Sequence, residues 1–214
     1  FTALIARINN DKEIHGILMF RPLPAQLDYN VIKHLISPAK DIDCINPLNL
    51  AKVFQGETDV LFPTTSEAVI EICRHFQGPL TGCSVAVVNR SMVVGRPLAM
   101  MLLNENATVT ICHSKTHDLP AVTAAADIVV AAVGRANFFG PEFFRAESLV
   151  DVGINVDEEG RLVGDVDYQP VSELVKAITP VPGGVGPMNT ALLLRNVLTA
   201  CRRQTAAVPD QKLQ

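Results

Sequence analysis

Five apolar segments alternate with helical patterns from residue 84 onward, and this alternation limits the fold more than any other feature. The segments cover residues 84–89, 107–112, 127–133, 148–153 and 177–181. Continuous apolar strands separated by helices are typical of a parallel sheet that is covered on both faces. Residues 155–166 interrupt the alternation with an acidic turn and predict a β-hairpin. We therefore expect an α/β fold with a doubly wound, mostly parallel sheet.

The first of these strands leads directly into a helix over residues 84–101, SVAVVNRSMVVGRPLAMM. The polar turn Asn89-Arg90-Ser91 separates the two, and Gly95 and Pro97 open the helix. A helix N-terminus has backbone N–H groups without helical partners and the positive end of the helix dipole, and both attract anions. This segment therefore predicts a phosphate-binding turn.

The end of the second strand indicates which phosphate compound would bind. Cys112 is followed by the run HSKT, and no carboxylate occurs before Asp118. NAD-binding Rossmann-type folds place Asp or Glu at this point to accept hydrogen bonds from the ribose 2′-hydroxyl. A carboxylate would repel a 2′-phosphate, whereas hydroxyl and cationic groups favour one, and Arg90 could add a bidentate contact. NADP therefore fits better than NAD. The G-x-G-x-x-G pattern is absent, however, so the alternative that the crevice of this sheet binds no dinucleotide stays open.

Composition argues against several other classes of protein. The 214 residues carry a net charge of −4, which provides no basic surface for nucleic acid or membrane lipids. No apolar run reaches the roughly 18 residues that a membrane helix needs. The five cysteines are scattered without a C-x-x-C pair, which favours a reducing, cytoplasmic compartment over a disulfide framework. His113 and His117 lack a nearby third ligand, so we expect no metal site.

Shorter patterns surround this alternating region. We expect the end of a helix at 1–9, a buried strand at 15–19, a helix at 28–36 and a polar loop at 40–49. A further helix begins near Pro63 and ends near Phe76, with Val69, Ile72, Cys73 and Phe76 forming its buried stripe. A last helix follows Met188 and ends near Arg203.

Five stretches in one order add a more specific signal. They are HGILMFRPLP from His15, PAKDIDCINPLNLAKV from Pro38, VVNRSMVVGRPLAMMLLNENATVTICHSKT from Val87, DVGINVDEEGRLVGDVDY from Asp151 and ITPVPGGVGPMNTALLL from Ile178. Together they resemble the bifunctional methylenetetrahydrofolate dehydrogenase/methenyltetrahydrofolate cyclohydrolase family. The resemblance extends over about residues 1–201, and its P-V-P-G-G-V-G-P-M run is highly specific.

The resemblance implies a two-domain enzyme. Residues 1–62 would be the remainder of a truncated α/β folate-binding domain, residues 63–186 the Rossmann-type NADP-binding domain, and residues 187–204 a helix that packs back on the first domain. The family transfers hydride from 5,10-methylenetetrahydrofolate to NADP⁺ and then adds water to the methenyl product, as part of one-carbon metabolism and purine biosynthesis. A homodimer is implied, with the folate in the cleft between domains. The family's Tyr-x-x-x-Lys helix would precede Phe1, so we expect that an N-terminal part is missing from this sequence.

Roles transfer to positions that match the family's motifs. The cofactor-binding residues implied are Asn89, Arg90 and Ser91 at the phosphate turn, Ser114 beside the 2′-phosphate, and Ile154 at the strand end that meets the nicotinamide half. The folate would be bound by Asp43, which is also the catalytic candidate, and by the loop residues Pro182, Gly183 and Gly184. Asp165 and Asp167 match a family run as well, and we assign them structural roles.

Several positions depart from the family pattern, mostly on the folate side. Phe20 replaces a catalytic-site Gln, Cys44 replaces the Gly of K-D-V-D-G, PTTS from Pro63 replaces P-C-T-P, and Asn89 replaces the Gly of the phosphate turn. Loss of the Gln hydrogen-bonding group predicts impaired cyclohydrolase activity. Two alternatives stay open: the same scaffold with a changed substrate, and a non-catalytic NADP- or folate-binding protein.

Overall fold

A computed structural model describes the protein over residues 1–145 and 148–206. The described residues form two compact units, one made of residues 1–64 and 191–206, the other of the described residues between 65 and 190. Within the described residues, no helix has the length and apolar character needed to cross a membrane.

The second unit is built on a five-stranded parallel sheet, which confirms the predicted fold class. Its strands are β1 (Ser84–Val88), β2 (Thr108–Cys112), β3 (Ile128–Ala131), β4 (Ser148–Asp151) and, after the hairpin of β5 (Asn155–Val156) and β6 (Leu162–Val163), β7 (Ala177–Ile178). The strand order is β2-β1-β3-β4-β7, and the hairpin strands pair antiparallel as predicted. Strands β1 and β3 are almost entirely buried because side chains on both of their faces are apolar.

The register of the sheet aligns the carboxyl ends of four strands. Val88 pairs with both Cys112 and Ala131, and Ala131 pairs with Asp151. In the sheet, β2 lies on one side of β1 and β3 lies on the other. The direction in which successive strands are added therefore reverses at β1. Ligands of doubly wound sheets bind at the carboxyl edge beside such a reversal.

Helices and one 3-10 turn cover this sheet. They are α4 (Thr64–Gln77), α5 (Gly95–Asn104), α6 (Leu119–Ala124), a 3-10 helix (Pro141–Phe143) and α7 (Tyr168–Ser172). Val69, Ile72 and Cys73 of α4 are buried as predicted, whereas Phe76 is 59% exposed, so its assignment to the buried stripe was wrong. Gly95 allows α5 to approach β1, because a Cβ there would lie 2.1 Å from the carbonyl oxygen of Asn89.

The first unit contains α1 (Thr2–Asn10), α2 (Tyr29–Ile32), α3 (Pro47–Gln55) and the part of α8 (Val185–Ala206) that follows Thr190. Its buried apolar side chains form two clusters, which are Ile5, Met19, Ile32, Ile36 and Ile45, and Ile42, Leu61 and Ala200. Asn196 of α8 donates from Nδ2 to the carbonyl oxygens of Ile42 (2.9 Å) and Phe62 (3.2 Å). These bonds hold this part of α8 within the unit.

Several local predictions for the first unit were wrong. Residues 15–19 form no strand, because their pairing is limited to a single bridge between Ile17 and Asp41. The helix predicted at 28–36 is confined to Tyr29–Ile32. The helix α3 was missed, although the Asn46 side chain caps it, Pro47 opens it and Gly56 ends it at φ 77°. The last helix, whose later part belongs to this unit, begins at Val185 in the second unit, earlier than predicted.

Candidate functional site

A cavity of about 430 Å³ lies at the carboxyl ends of β1, β2 and β3, where the strand order reverses. We call it the arginine cavity, and it is lined by Val88, Asn89, Arg90, Ser91, His113, Ser114, Leu119, Ala132, Val133, Arg135 and Phe138. Four of the five residues predicted to bind cofactor, Asn89, Arg90, Ser91 and Ser114, therefore line one cavity. The turn after β1 and the turn after β2 meet because their strands end in register.

The charge of the arginine cavity suits an anion. Its lining includes two arginines and two serine hydroxyls but no carboxylate. Over residues 1–145 and 148–206, neither Arg90 nor Arg135 forms an ion pair with an acidic side chain. Two exposed guanidinium groups without a counter-charge fit a dianionic phosphate such as the 2′-phosphate of NADP.

The Asn89 side chain is used inside the protein. Its Oδ1 accepts hydrogen bonds from the backbone N–H of Ser91 (2.7 Å) and of Gly95 (3.1 Å), and its Nδ2 donates to the carbonyl oxygen of Ala132. The carboxamide thus ties the turn after β1 to the N-terminus of α5 and to the end of β3. It also occupies two of the backbone donors on which the predicted phosphate site depended.

Asp165 holds the loop that follows β3. Its carboxylate is fully buried and accepts hydrogen bonds from the backbone N–H of Val133, Gly134 (3.0 Å) and Arg135 (2.8 Å), and from Asn155 Nδ2 (2.9 Å). The loop forms part of the arginine cavity. Asp165 therefore has a structural function, in agreement with the role assigned to it from the sequence.

A second cavity of about 450 Å³ lies beside the ends of β4 and β7. We call it the glycine-loop cavity, and it is lined by Thr65, Val94, Asp151, Val152, Gly153, Ile154, Leu162, Pro180, Val181, Pro182, Gly183, Gly184, Val185, Gly186, Pro187 and Asn189. It contains the fifth predicted cofactor residue, Ile154, and the predicted folate residues Pro182, Gly183 and Gly184. Glycine is needed in this loop, since Gly183 has φ 111° and a Cβ on Gly184 would lie 2.6 Å from the carbonyl oxygen of Pro180.

Asp151 is a buried acid at the end of β4 in the lining of the glycine-loop cavity. Its carboxylate accepts hydrogen bonds from the backbone N–H of Gly153 (2.9 Å), Asp165 (3.0 Å) and Val166 (3.0 Å). Burial nevertheless raises the pKa of Asp151 to about 6, because loss of hydration outweighs the three amide contacts. At a pH near neutrality, the protonated fraction of Asp151 in the folded protein is therefore larger than that of an Asp with an ordinary pKa.

Asn189, in the first turns of α8, also lines the glycine-loop cavity. Its Oδ1 is buried, and no donor among the residues that the structure describes reaches it. Buried acceptors without a partner are uncommon, so a ligand donor is one way in which this oxygen could be satisfied.

Asp43, the predicted catalytic and folate-binding acid, lies in the first unit. It accepts a hydrogen bond from the Thr64 hydroxyl (2.7 Å), and its Oδ2 lies 4.0 Å from a guanidinium nitrogen of Arg21. The neighbouring Cys44 adopts φ 55°, which explains why glycine suits this position in the family pattern. Phe20, at the position of the family's Gln, is 81% exposed.

Three residues of these cavities were missed in the sequence. Arg135 follows a strand end just as Arg90 does, and Asp151 is a lone acid within an apolar strand. These two sequence patterns could have identified Arg135 and Asp151 as candidate site residues. Asn189 has no local signal, because its role depends on the burial of one oxygen. Within the described part of the chain, no cluster of three or more His, Cys, Asp or Glu could hold a metal ion.

Comparison with known families matches both parts of the chain. Residues 63–205 match the model described as tetrahydrofolate dehydrogenase/cyclohydrolase, NAD(P)-binding domain, and residues 1–43 match the catalytic domain of the same family. The bifunctional protein FolD 1 of Desulfitobacterium hafniense is 55% identical over 205 residues, which are 95% of this chain and 73% of that protein.

Solved structures give the same result. The bifunctional 5,10-methylenetetrahydrofolate dehydrogenase/cyclohydrolase of Thermoplasma acidophilum matches with a TM-score of 0.89 and 42% identity, over 96% of this chain and 74% of that one. The Trypanosoma brucei N5,N10-methylenetetrahydrofolate dehydrogenase-cyclohydrolase, complexed with NADP cofactor and inhibitor, matches with a TM-score of 0.89 and 36% identity, over 96% and 73% of the two chains. The chain therefore belongs to the tetrahydrofolate dehydrogenase/cyclohydrolase family.

Proposed function

We propose that this protein is an NADP-dependent dehydrogenase that oxidises 5,10-methylenetetrahydrofolate to 5,10-methenyltetrahydrofolate. The observation that carries the proposal is the arginine cavity at the point where the strand order reverses. Its two arginines form no ion pair with any residue that the structure describes, and its lining contains no carboxylate. Membership of the family supplies the substrate class. When bound, NADP⁺ supplies a nicotinamide ring that can accept hydride.

The cofactor would be held mainly through its phosphate and its nicotinamide ends. Arg90, Ser91 and Ser114 would bind the 2′-phosphate by charge-assisted and hydroxyl hydrogen bonds. The turn that begins with Asn89 would position these groups, and the backbone at Ile154 would contact the nicotinamide half.

On the folate side, Asp43 would accept hydrogen bonds from the substrate's ring N–H groups, and Pro182, Gly183 and Gly184 would flank the ring. Removal of hydride from the one-carbon bridge requires no proton acceptor. In the dehydrogenase step, the residues of this chain would therefore contribute by orienting the substrate rather than by acid–base chemistry.

The domain roles follow from the same reasoning. We infer that residues 1–62 form the folate-binding part, that residues 63–186 form the NADP-binding part, and that residues 187–204 pack back on the first part. We also propose a cytoplasmic homodimer that serves purine biosynthesis. These statements rest on the family resemblance, and a mass measurement in solution tests the oligomeric state: a monomer at micromolar concentration would overturn it.

The activity is tested directly by incubating the purified protein with 5,10-methylenetetrahydrofolate and NADP⁺ and following methenyltetrahydrofolate by absorbance. We expect product with NADP⁺. Failure to form product with either NADP⁺ or NAD⁺, in protein that still binds NADPH, would contradict the dehydrogenase proposal and favour a binding protein.

The cyclohydrolase step is proposed to be weak, because Phe20 has no hydrogen-bonding group at the position of the family's Gln. Restoring the amide with Phe20→Gln should raise the rate of methenyltetrahydrofolate hydrolysis by up to about tenfold, the effect of one net hydrogen bond in the transition state. Tyr168→Gln, which exchanges another exposed aromatic residue for an amide in the other unit, is the control. Fast hydrolysis by the unmodified protein would show that Phe20 does not limit this step.

A further inference from the structure

The arginine cavity contains a second arginine that the family motifs do not assign. We propose that Arg135 binds the cofactor's 2′-phosphate together with Arg90 and thereby helps to select NADP over NAD. The inference rests on the proposed function, because it requires that this cavity receives the adenosine end of the cofactor.

The backbone of Arg135 is fixed in place. Its N–H donates to Oδ1 of Asp165 at 2.8 Å, and the N–H of the preceding Gly134 donates to Oδ2 at 3.0 Å. Asp165 is fully buried and also accepts from Asn155. The side chain of Arg135 therefore extends from a rigid base rather than from a loose loop, which lowers the entropy lost when it binds a ligand.

The guanidinium group is oriented by an aromatic ring. Its central carbon lies 4.5 Å from the centre of the Phe138 ring, which also lines the cavity. Phe138 packs edge to face against the buried Phe139, with ring centres 4.8 Å apart. Stacking covers one face of the guanidinium plane and leaves its N–H edges free for oxygen acceptors.

The charges around Arg135 also suit a phosphate group. Arg135 is exposed, forms no ion pair within the described ranges, and shares the cavity with Arg90, Ser91 and Ser114. A 2′-phosphate carries close to two negative charges, which one arginine alone neutralises only in part. Two arginines and two hydroxyls match such a group, whereas the uncharged 2′-hydroxyl of NAD would leave both arginines without an anion.

Equilibrium binding of NADPH and NADH to the purified protein, measured by the fluorescence of the reduced nicotinamide, tests this inference without relying on turnover. Arg135→Ala should raise the Kd for NADPH about tenfold and the Kd for NADH less than about twofold, as expected for loss of a charge-assisted contact to the 2′-phosphate. Arg135→Lys should lie between Arg135→Ala and the unmodified protein, since a point charge remains but the stacked fork is lost. The dependence of NADPH affinity on salt should also weaken in Arg135→Ala.

One control variant and one second test variant separate this effect from damage to the fold. Arg161→Ala removes an exposed arginine of the same unit that pairs with Asp157 and Glu159, and it should leave both dissociation constants unchanged. Phe138→Leu keeps an apolar side chain but removes the ring, and it should weaken NADPH binding selectively by about two- to threefold.

The outcomes distinguish the inference from the function on which it rests. Equal losses for NADPH and NADH in Arg135→Ala would assign Arg135 to the pyrophosphate or the adenine and would overturn the inference, as would no loss at all. A protein that binds neither cofactor in its unmodified form would instead contradict the proposed function.

Discussion

At the scale of single residues, the most informative position is Asn89. Its carboxamide accepts from Ser91 N–H and Gly95 N–H and donates to the carbonyl oxygen of Ala132. In the sequence, Asn89 stands where the family's phosphate turn has glycine. The contacts show that its side chain stabilises the turn from which Arg90 and Ser91 extend.

Replacing Asn89 with Gly tests this positioning role. The variant should lower the free energy of unfolding by about 2 kcal/mol, because two backbone donors lose their acceptor and the turn gains flexibility. Urea unfolding measures the change. Asn137→Gly is the matched control, since this exposed asparagine has φ 50° and glycine should be tolerated there.

Cofactor binding adds a second readout for Asn89→Gly. The Kd values for NADPH and NADH should change by the same factor, because the carboxamide does not distinguish the 2′-phosphate from the 2′-hydroxyl. A selective loss of NADPH would instead assign Asn89 a direct contact with the 2′-phosphate.

At the scale of elements, the buried carboxylates of Asp151 and Asp165 connect three places in the second unit: the end of β3, the end of β4 and the segment that follows β6. Asp151 accepts from the N–H of Asp165, and Asp165 in turn holds the loop after β3. Backbone donors are thus satisfied by side chains that lie far away in the sequence. The glycines beside them leave no room for side chains, since a Cβ on Gly164 would lie 1.9 Å from Oδ2 of Asp151.

The raised pKa of Asp151 predicts a specific pH dependence of stability. Its pKa of about 6 in the folded protein exceeds the ordinary value of 3.8. Its favourable contribution to the free energy of unfolding is therefore fully present below pH 3.8 and is lost as pH rises through about 6. Asp151→Asn does not titrate. The stability of the unmodified protein relative to Asp151→Asn should therefore fall by about 2 kcal/mol between about pH 4.5 and about pH 8. Paired urea titrations measure this, and a constant difference would show that Asp151 has an ordinary pKa.

The contact between β1 and α5 depends on Gly95. Gly95→Ala should destabilise the protein by about 3 kcal/mol, because its Cβ would lie 2.1 Å from the backbone oxygen of Asn89 and the helix would have to move. Gly186→Ala places a methyl group in open space within α8 and should be neutral or stabilising by about 0.5 kcal/mol. Thermal unfolding of the two variants makes the comparison. Equal stability of both would mean that α5 adjusts at little energetic cost.

At the scale of the whole molecule, the parallel sheet was predictable because each of its strands is a short apolar run bounded by polar turns. The predicted cofactor turns could also be placed, since parallel strands bring their carboxyl ends to one edge. Residues 15–19 were mispredicted because an apolar run does not reveal whether a pairing strand exists. The hydrogen-bond partners of Asn89 and Asp165 could not be predicted, because residues such as Ala132 and Gly134 are brought near them only by folding.

The proposed use of NADP depends on two features of the sheet: no acid follows β2 before Asp118, and the turns after β1 and β3 carry Arg90 and Arg135. The most direct test is the ratio of kcat/KM for NADP⁺ to that for NAD⁺ in the oxidation of 5,10-methylenetetrahydrofolate, measured for the unmodified protein and for Arg90→Ala. We expect a ratio well above one that falls at least about tenfold in Arg90→Ala, because the variant loses a charge-assisted contact to the 2′-phosphate. A ratio near or below one in the unmodified protein, or an equal loss with both cofactors in the variant, would contradict the account.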